Sequence, residues 1–336
     1  MKTKVKLSDI SHKTGYSLST VSRVLTQKGY VNEETRKVIE QAMEELGYQK
    51  SQPKRRLEPD MKDTVLIVAA QMSNVVQDMI LGATDYLEAN GKKAIFYNCF
   101  LRLEKKAEYL RFADEHGFAG VLILDTFETP EIIRTIESMH RPVVYIQKPS
   151  NQLNIDAVCM DNIKGTYMLT RHLIQHGHTR IGLLAGNLAA STTKEREQGY
   201  RSAMEDAGLE VFEEDILYGN FDEASGETYL QDVLKKNREI TGVLCGNELM
   251  AFGLLHALLN NGYRVPEDIS LVSFHKSSVG NYTKVLLTSI DFDYKALGMN
   301  AAKALLQRIE NPAQAQKIIT FAPQLFSGES VCPPHK

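Results

Sequence analysis

The chemistry easiest to read in this chain lies between Ser17 and Leu25. Ser19, Thr20 and Ser22 are short hydroxyl side chains, and Arg23 adds a planar set of donors one turn on. On a helix they make a thin polar face with Leu18 at its N-terminal edge. Such a face fits the DNA major groove. Ser19 and Arg23 can reach base edges, Thr20 a phosphate or a base, and Leu18 a thymine methyl.

Two short helices around a tight turn must position this face. Gly15 falls where the first helix has to stop and the chain to turn, which a residue without Cβ does cheaply. Ser17 is placed to cap the second helix. Ile10, Val21, Val24 and Leu25 recur at helical spacing and can share one small core. A third helix follows. Asn32 is its cap, Glu33 and Glu34 sit in its positive first turn, and Val38, Ile39, Ala42, Met43 and Leu46 form its apolar set. Gly47-Tyr48 ends it.

Three ordered segments, Thr20-Val21-Ser22-Arg23-Val24-Leu25, Val31-Asn32-Glu33-Glu34-Thr35-Arg36 and Glu45-Leu46-Gly47-Tyr48, together resemble the headpiece of the LacI/GalR family of bacterial transcription regulators. The resemblance implies a sequence-specific DNA-binding repressor. It would sit as a homodimer, or a tetramer, on a palindromic operator, with a small-molecule effector in control.

Charge agrees with a polyanion-binding end. The chain has 336 residues and a net charge of −3. Residues 1–62 hold thirteen Lys and Arg against eight Asp and Glu, a balance of +5, which leaves −8 on the rest. At 43% hydrophobic and 24% charged, the composition is that of a globular protein large enough for several cores. No apolar run reaches the ~20 residues needed to span a bilayer, and Met1-Lys2-Thr3-Lys4 leads into a polar helix, so a cytoplasmic protein is expected. Cys99, Cys159, Cys245 and Cys332 are far apart; buried, reduced thiols are expected rather than metal ligands.

Residues 49–63 are polar, basic and contain Pro53 and Pro59, so they read as a linker. In the family this stretch folds as a hinge helix on the operator, with a leucine wedged into the minor groove. Leu57 has the matching spacing from Tyr48, and Arg55 and Arg56 could clamp phosphates. Pro53 departs from the pattern, since proline inside a helix costs about 3 kcal/mol.

From Thr64 the texture becomes strand and helix in alternation. Val65–Val68, Ala94–Tyr97, Val121–Leu124, Val143–Ile146, Ile181–Leu184, Ile216–Tyr218, Gly242–Cys245 and Ile269–Val272 are apolar runs separated by amphipathic stretches. Repeated strand–helix units imply parallel sheets covered on both faces. Asp161-Asn162-x-x-Gly165, Gly177-His178, Arg196-x-x-Gly199-Tyr200, Val265-Pro266-Glu267-Asp268-Ile269-Ser270 and Leu297-Gly298-x-x-Ala301 resemble the core of the same family. The expected architecture is an all-α helix-turn-helix headpiece, residues 1–48, and an α/β periplasmic-binding-protein-like core of two Rossmann-like lobes, residues 64–325. By resemblance the N-lobe holds 64–160 and 292–323 and the C-lobe 163–290, with 326–336 as a tail.

Ligands of open parallel sheets bind beyond the carboxyl ends of the strands. The candidates are Asn74, Gln147, Asp161, Arg196, Phe221, Asn247 and His275. Arg196 stands in the family's Arg-x-x-Gly-Tyr motif and can make paired hydrogen bonds to hydroxyls, a carboxylate or a phosphate. Phe221 and Asn247 hold positions where the family places an aromatic and an asparagine against the effector. Two departures stand out. Where the family usually reads Gly-Phe-Asp-Asp, this chain has Ser273-Phe274-His275-Lys276, and the phenylalanines that usually follow the first strand are absent from Ser73-Asn74-Val75-Val76. Arg196, His275 and Lys276 would then favour an anionic effector, a sugar phosphate or sugar acid, over a neutral sugar. A degenerate pocket, with control by a protein co-regulator or none, is the alternative. A transport solute-binding protein is disfavoured by the headpiece, and an enzyme by the absence of GxGxxG, GxxxxGK[ST] or a nucleophile–base pair; no cofactor, metal or catalytic residue is expected.

Overall fold

The computed structural model describes residues 5–26, 30–48, 61–147, 153–236, 239–276 and 283–335. Pro53, Arg55, Arg56, Leu57 and Pro59, with the expected hinge, lie outside them. The chain forms two compact units, Met1–Pro59 and Asp60–Lys336.

The first unit contains α1 (Leu7–Thr14), α2 (Leu18–Thr26) and α3 (Glu33–Leu46). Gly15 ends α1 in the left-handed conformation, at φ 71°. Asn32 Oδ1 accepts from the Glu34 and Thr35 N–H groups at 2.7 and 3.4 Å, and so caps α3. Ile10, Val21, Val24, Leu25, Ile39 and Ala42 form the buried core, with Met43, Leu46 and Tyr48 against it. Val38, expected in that core, is exposed. It neighbours Ile39 in sequence, and one stripe of a helix cannot bury both.

The strands of the second unit are β1 (Thr64–Ala69), β2 (Lys93–Asn98), β3 (Gly120–Ile123), β4 (Val143–Ile146), β5 (Asp156–Met160), β6 (Ile181–Ala185), β7 (Ile216–Tyr218), β8 (Gly242–Cys245), β9 (Ser270–Phe274), β10 (Thr288–Asp291), β11 (Ile318–Phe321) and β12 (Gln324–Phe326). The helices are α4 (Asn74–Ala89), α5 (Leu103–Glu115), α6 (Pro130–Ser138), α7 (Asn162–Gln175), α8 (Ser191–Asp206), α9 (Glu223–Tyr229), α10 (Glu248–Asn260) and α11 (Tyr294–Glu310). One sheet runs β11-β5-β4-β3-β1-β2, the other β12-β10-β9-β8-β6-β7. Every pairing is parallel except β12 on β10. Strands β1, β3, β4, β8 and β9 are buried along their whole length, as strands covered on both faces must be.

The chain passes between the lobes three times: after β5, between β10 and α11, and between β11 and β12. Strands β10 to β12 carry no continuous apolar run, which is why the sequence does not announce them. Of residues 326–336, expected as a tail, the described part to 335 instead packs on the second lobe. Ser330 is fully buried; its Oγ accepts from the Thr288 N–H at 2.8 Å and donates to the Leu271 carbonyl. The Cys332 N–H donates to Ser270 Oγ at 3.1 Å. Cys99, Cys159 and Cys245 are buried free thiols. No described helix is long and apolar enough to cross a membrane.

Candidate functional site

In the first unit, the Thr20 N–H donates to Ser17 Oγ at 3.2 Å, so Ser17 caps α2. Ser17 Oγ also lies 2.8 Å from Ser19 Oγ and 2.9 Å from Thr20 Oγ1, which gathers three hydroxyls at the helix start. Leu18, Ser19 and Arg23 are exposed, while Thr20 and Ser22 are half-buried. Leu18 keeps 54% of its surface in water, although the core of this unit is apolar and close by. The polar face expected from the sequence is thus presented outward, held by Val21, Val24 and Leu25 beneath.

In the second unit the carboxyl ends of both sheets converge on a cavity of about 160 Å³. Its walls include Ser73, Val75 and Met79 after β1, Asp125 and Phe127 after β3, and Gln147 after β4. From the other lobe come Ala190, Thr192 and Arg196, then Phe221, Asn247 and His275. Gln147, Phe221 and His275 have φ of 89°, 63° and 74°. Each is a non-glycine residue in the left-handed region, at a cost on the order of 1–3 kcal/mol, and such strain gathers where side chains must be aimed.

Arg196 is the centre of the second lobe's wall. It is 5% exposed and lies 4.0 Å above the Phe274 ring. Its Nε donates to Asn162 Oδ1 at 3.1 Å, one terminal nitrogen to the Gly246 carbonyl, and the other to His275 Nε2 at 3.0 Å. Burial pulls the guanidinium down to about 10, so it stays charged at neutral pH. Gly199 makes this position possible: a Cβ there would come within 2.2 Å of the Ile163 carbonyl oxygen. The glycine of the Arg-x-x-Gly-Tyr motif therefore lets α8 close on α7, where Asn162 waits for Arg196.

Asn162 continues the chain of bonds. Its Nδ2 donates to Glu195 Oε2 at 2.8 Å and to Gln147 Oε1 at 3.3 Å. His275 Nδ1 is 2.9 Å from the Tyr294 hydroxyl. A polar network thus leaves the first lobe at Gln147, crosses the second through Asn162, Arg196 and His275, and returns to the first at Tyr294.

His275 is neutral. Arg196 has only donors, so Nε2 must accept and Nδ1 must carry the proton. Burial first, and the Arg196 charge second, hold its imidazolium well below the ordinary histidine range. Lys276 turns away: its Nζ sits 4.1 Å from the Phe326 ring centroid, outside the cavity wall. The expected trio of positive groups on one wall is therefore reduced to Arg196.

Other candidates are also placed differently. Asp161 caps α7, taking the Lys164 N–H at 2.9 Å, and is not part of the wall. Asn74 faces an adjoining groove shared with Gln77 and Glu248. Asn247 lines the cavity, yet its Oδ1 caps α10 through the Met250 N–H at 2.9 Å and its Nδ2 holds the Phe221 carbonyl at 3.0 Å. The sequence reading passed over Asp125, Phe127, Asn162 and Thr192. Asp125 is the second residue after β3, so the strand-end rule could have found it. Buried Lys106, its partner, looks like any surface lysine of a helix.

Comparison with known proteins agrees across both units. Residues 6–51 match the family described as bacterial regulatory proteins, lacI family. Residues 62–325 match periplasmic binding proteins and sugar binding domain of LacI family. The chain is 29% identical to the HTH-type transcriptional repressor PurR of Vibrio campbellii over 327 residues, 97% of this chain and 98% of that one. Among solved structures, a complex of the transcriptional regulator CelR with cellobiose is 27% identical, with a TM-score of 0.74, covering 97% of this chain and 99% of that one. The lac repressor dimer bound to operator and an anti-inducer has the same fold, at 21% identity and a TM-score of 0.72 over 98% of this chain and all of that one. With both of its units matched in order, the chain belongs to the LacI family of bacterial regulatory proteins.

Proposed function

We propose that this protein is a transcriptional repressor that binds a palindromic operator as a homodimer and releases or grips it according to a small polar molecule held between its lobes. The cavity carries the reading. Eight wall segments from two lobes meet there, three of them strained, around a single buried guanidinium. Leu18, Ser19, Thr20, Ser22 and Arg23 read the operator half-site, and two copies place two such helices about one helical turn apart. Arg196 binds the effector through the N–H groups its protein partners leave over, with Phe221, Thr192 and Gln147 around it. With His275 neutral and Lys276 turned away, the support for an anionic effector shrinks to one charge. A ligand that prefers one lobe arrangement shifts the DNA-binding equilibrium by its differential affinity.

Operator selection from random DNA, followed by release assays with sugars, sugar phosphates and sugar acids, tests this. A selected palindrome whose retention responds to one compound is the expected result. Selection of no sequence would overturn the reading.

A further inference from the structure

Most of the side-chain hydrogen-bond acceptors on the cavity wall are already in use. Gln147 Oε1 accepts from the Met160 N–H and from Asn162 Nδ2, both at 3.3 Å. Asn247 Oδ1 holds the Met250 N–H, Ser73 Oγ the Val76 N–H, and His275 Nε2 a proton of Arg196. The carboxylate of Asp125 is spent on Lys106 Nζ and the Phe127 N–H, at 2.8 and 2.9 Å, through Oδ1, and its Oδ2 is buried out of a ligand's reach. What the wall has left is donors. Arg196 has five N–H groups and gives three of them to neutral acceptors, the Asn162 amide, the Gly246 carbonyl and the His275 ring, so each terminal nitrogen keeps one. Two donors fix the Gln147 oxygen, which leaves Nε2 as the end with no acceptor among the described residues. The Thr192 hydroxyl, which can give or take a proton, is also on the wall.

The wall facing Arg196 is largely apolar. Val75, Val76 and Met79 come from α4, Leu124 follows β3, and Ile146 and Met160 end β4 and β5. The Phe127 and Phe221 rings meet edge-on at 6.5 Å, and the Phe127 backbone bridges to Ala190 of the other lobe, which ties the two walls together there. The cavity volume of about 160 Å³ is close to the roughly 150 Å³ that takes one benzene ring.

We infer that this cavity takes a small monocarboxylate with a flat or branched apolar body, and not a carbohydrate. The inference rests on reading the cavity as the effector site. The two remaining terminal N–H groups of Arg196 meet the two carboxylate oxygens, and the ligand supplies a negative charge to a buried guanidinium whose three protein acceptors are all neutral. Gln147 Nε2 adds a donor to the same polar edge. The hydrocarbon body lies against Val76, Met79, Ile146 and Met160. A sugar ring fits this wall badly. Its hydroxyl protons find few acceptors to take them, and each hydroxyl that gives up water without gaining a partner weakens binding. A disaccharide exceeds the volume.

The test is calorimetry on the full chain with benzoate, cyclohexanecarboxylate and 3-methylbutanoate, set against glucose, gluconate and glucose 6-phosphate. The expected result is binding of at least one apolar acid. Gluconate, which carries the same carboxylate on a hydroxylated chain, should bind at least about 10-fold more weakly. The amide of the acid that binds keeps its shape but loses the charge, and should lose a similar factor. The variant Val76→Thr is nearly isosteric and sets a hydroxyl on the apolar wall, so it should weaken the acid about 3- to 30-fold, with a melting temperature near that of the wild type to show that it is folded. A sugar, gluconate or glucose 6-phosphate that binds as tightly as the best apolar acid overturns the ligand class and leaves the cavity as the effector site. An amide as tight as its acid overturns the pairing with Arg196. Unchanged affinity in folded Val76→Thr overturns the apolar contact. A chain that binds nothing in the panel overturns both this inference and the effector reading beneath it.

Discussion

Arg196 donates to His275 Nε2 at 3.0 Å, and that bond decides the protonation state of the histidine. The neutral ring is part of the lobe-to-lobe network, so a proton on Nε2 would break it and set two cations side by side. The folded imidazolium lies well below the unfolded value near 6.5. Above that value neither state holds the extra proton and the contribution to stability is complete. As pH falls below it the unfolded chain gains a proton that the folded chain refuses, and stability drops by at most about 1.4 kcal/mol per pH unit. His172 and His178 are shifted in the same direction by burial, so they share the slope. Thermal melts from pH 7.5 to 5 should fall less steeply for His275→Asn than for the wild type. Parallel curves would mean that His275 titrates normally.

Arg196→Lys should be damaging although it keeps the charge. Lysine cannot stack flat on Phe274, and its three donors radiate from one nitrogen instead of the three that Arg196 uses. Gly246 O, Asn162 Oδ1 and His275 Nε2 would compete for one ammonium. The expected losses are about 2–3 kcal/mol in urea unfolding and at least about tenfold in effector affinity. Unchanged stability would show that the three bonds contribute nothing net.

Arg23→Ala should act on DNA recognition alone. Arg23 is exposed and outside the core of the first unit, so the melting temperature should stay within experimental scatter. Preference for the selected operator over scrambled DNA should drop by about 1–3 kcal/mol at fixed salt. If only total affinity and its salt dependence change, Arg23 touches phosphate and the register of α2 on the bases is different.

The C-terminal segment should prove structural. Ser330→Ala leaves the buried Thr288 N–H without its acceptor and should cost about 1–3 kcal/mol. Ending the chain at Phe326 should cost more, because the bonds at Ser270, Leu271 and His178 go with it. Differential scanning calorimetry of the two variants measures both. A truncated chain as stable as the full one would restore the reading of these residues as a tail.

Local chemistry wrote much of this protein into its sequence. Gly15, Ser17 and Asn32 act on backbone groups within a few residues, so their turn and caps were legible without any fold. Strands β1, β3, β4 and β8 were legible because a strand covered on both faces is mostly apolar, whereas β10 buries Thr288 and Ser289 and was not. The Arg196 motif was legible as a pattern, although the reason for Gly199 emerged only with the carbonyl of Ile163 beside it. What the sequence could not settle depends on groups far apart along the chain. His275 and Lys276 are adjacent, yet one is held neutral between Arg196 and Tyr294 while the other reaches Phe326. Asp125 and Lys106 are separated by nineteen positions, and only the fold brings them together as a buried ion pair. Charge state and hydrogen-bond capacity are properties of three-dimensional surroundings, so the chemistry of the cavity wall was decided by the tertiary structure, whereas the position of that wall at the strand ends was already decided by the sequence.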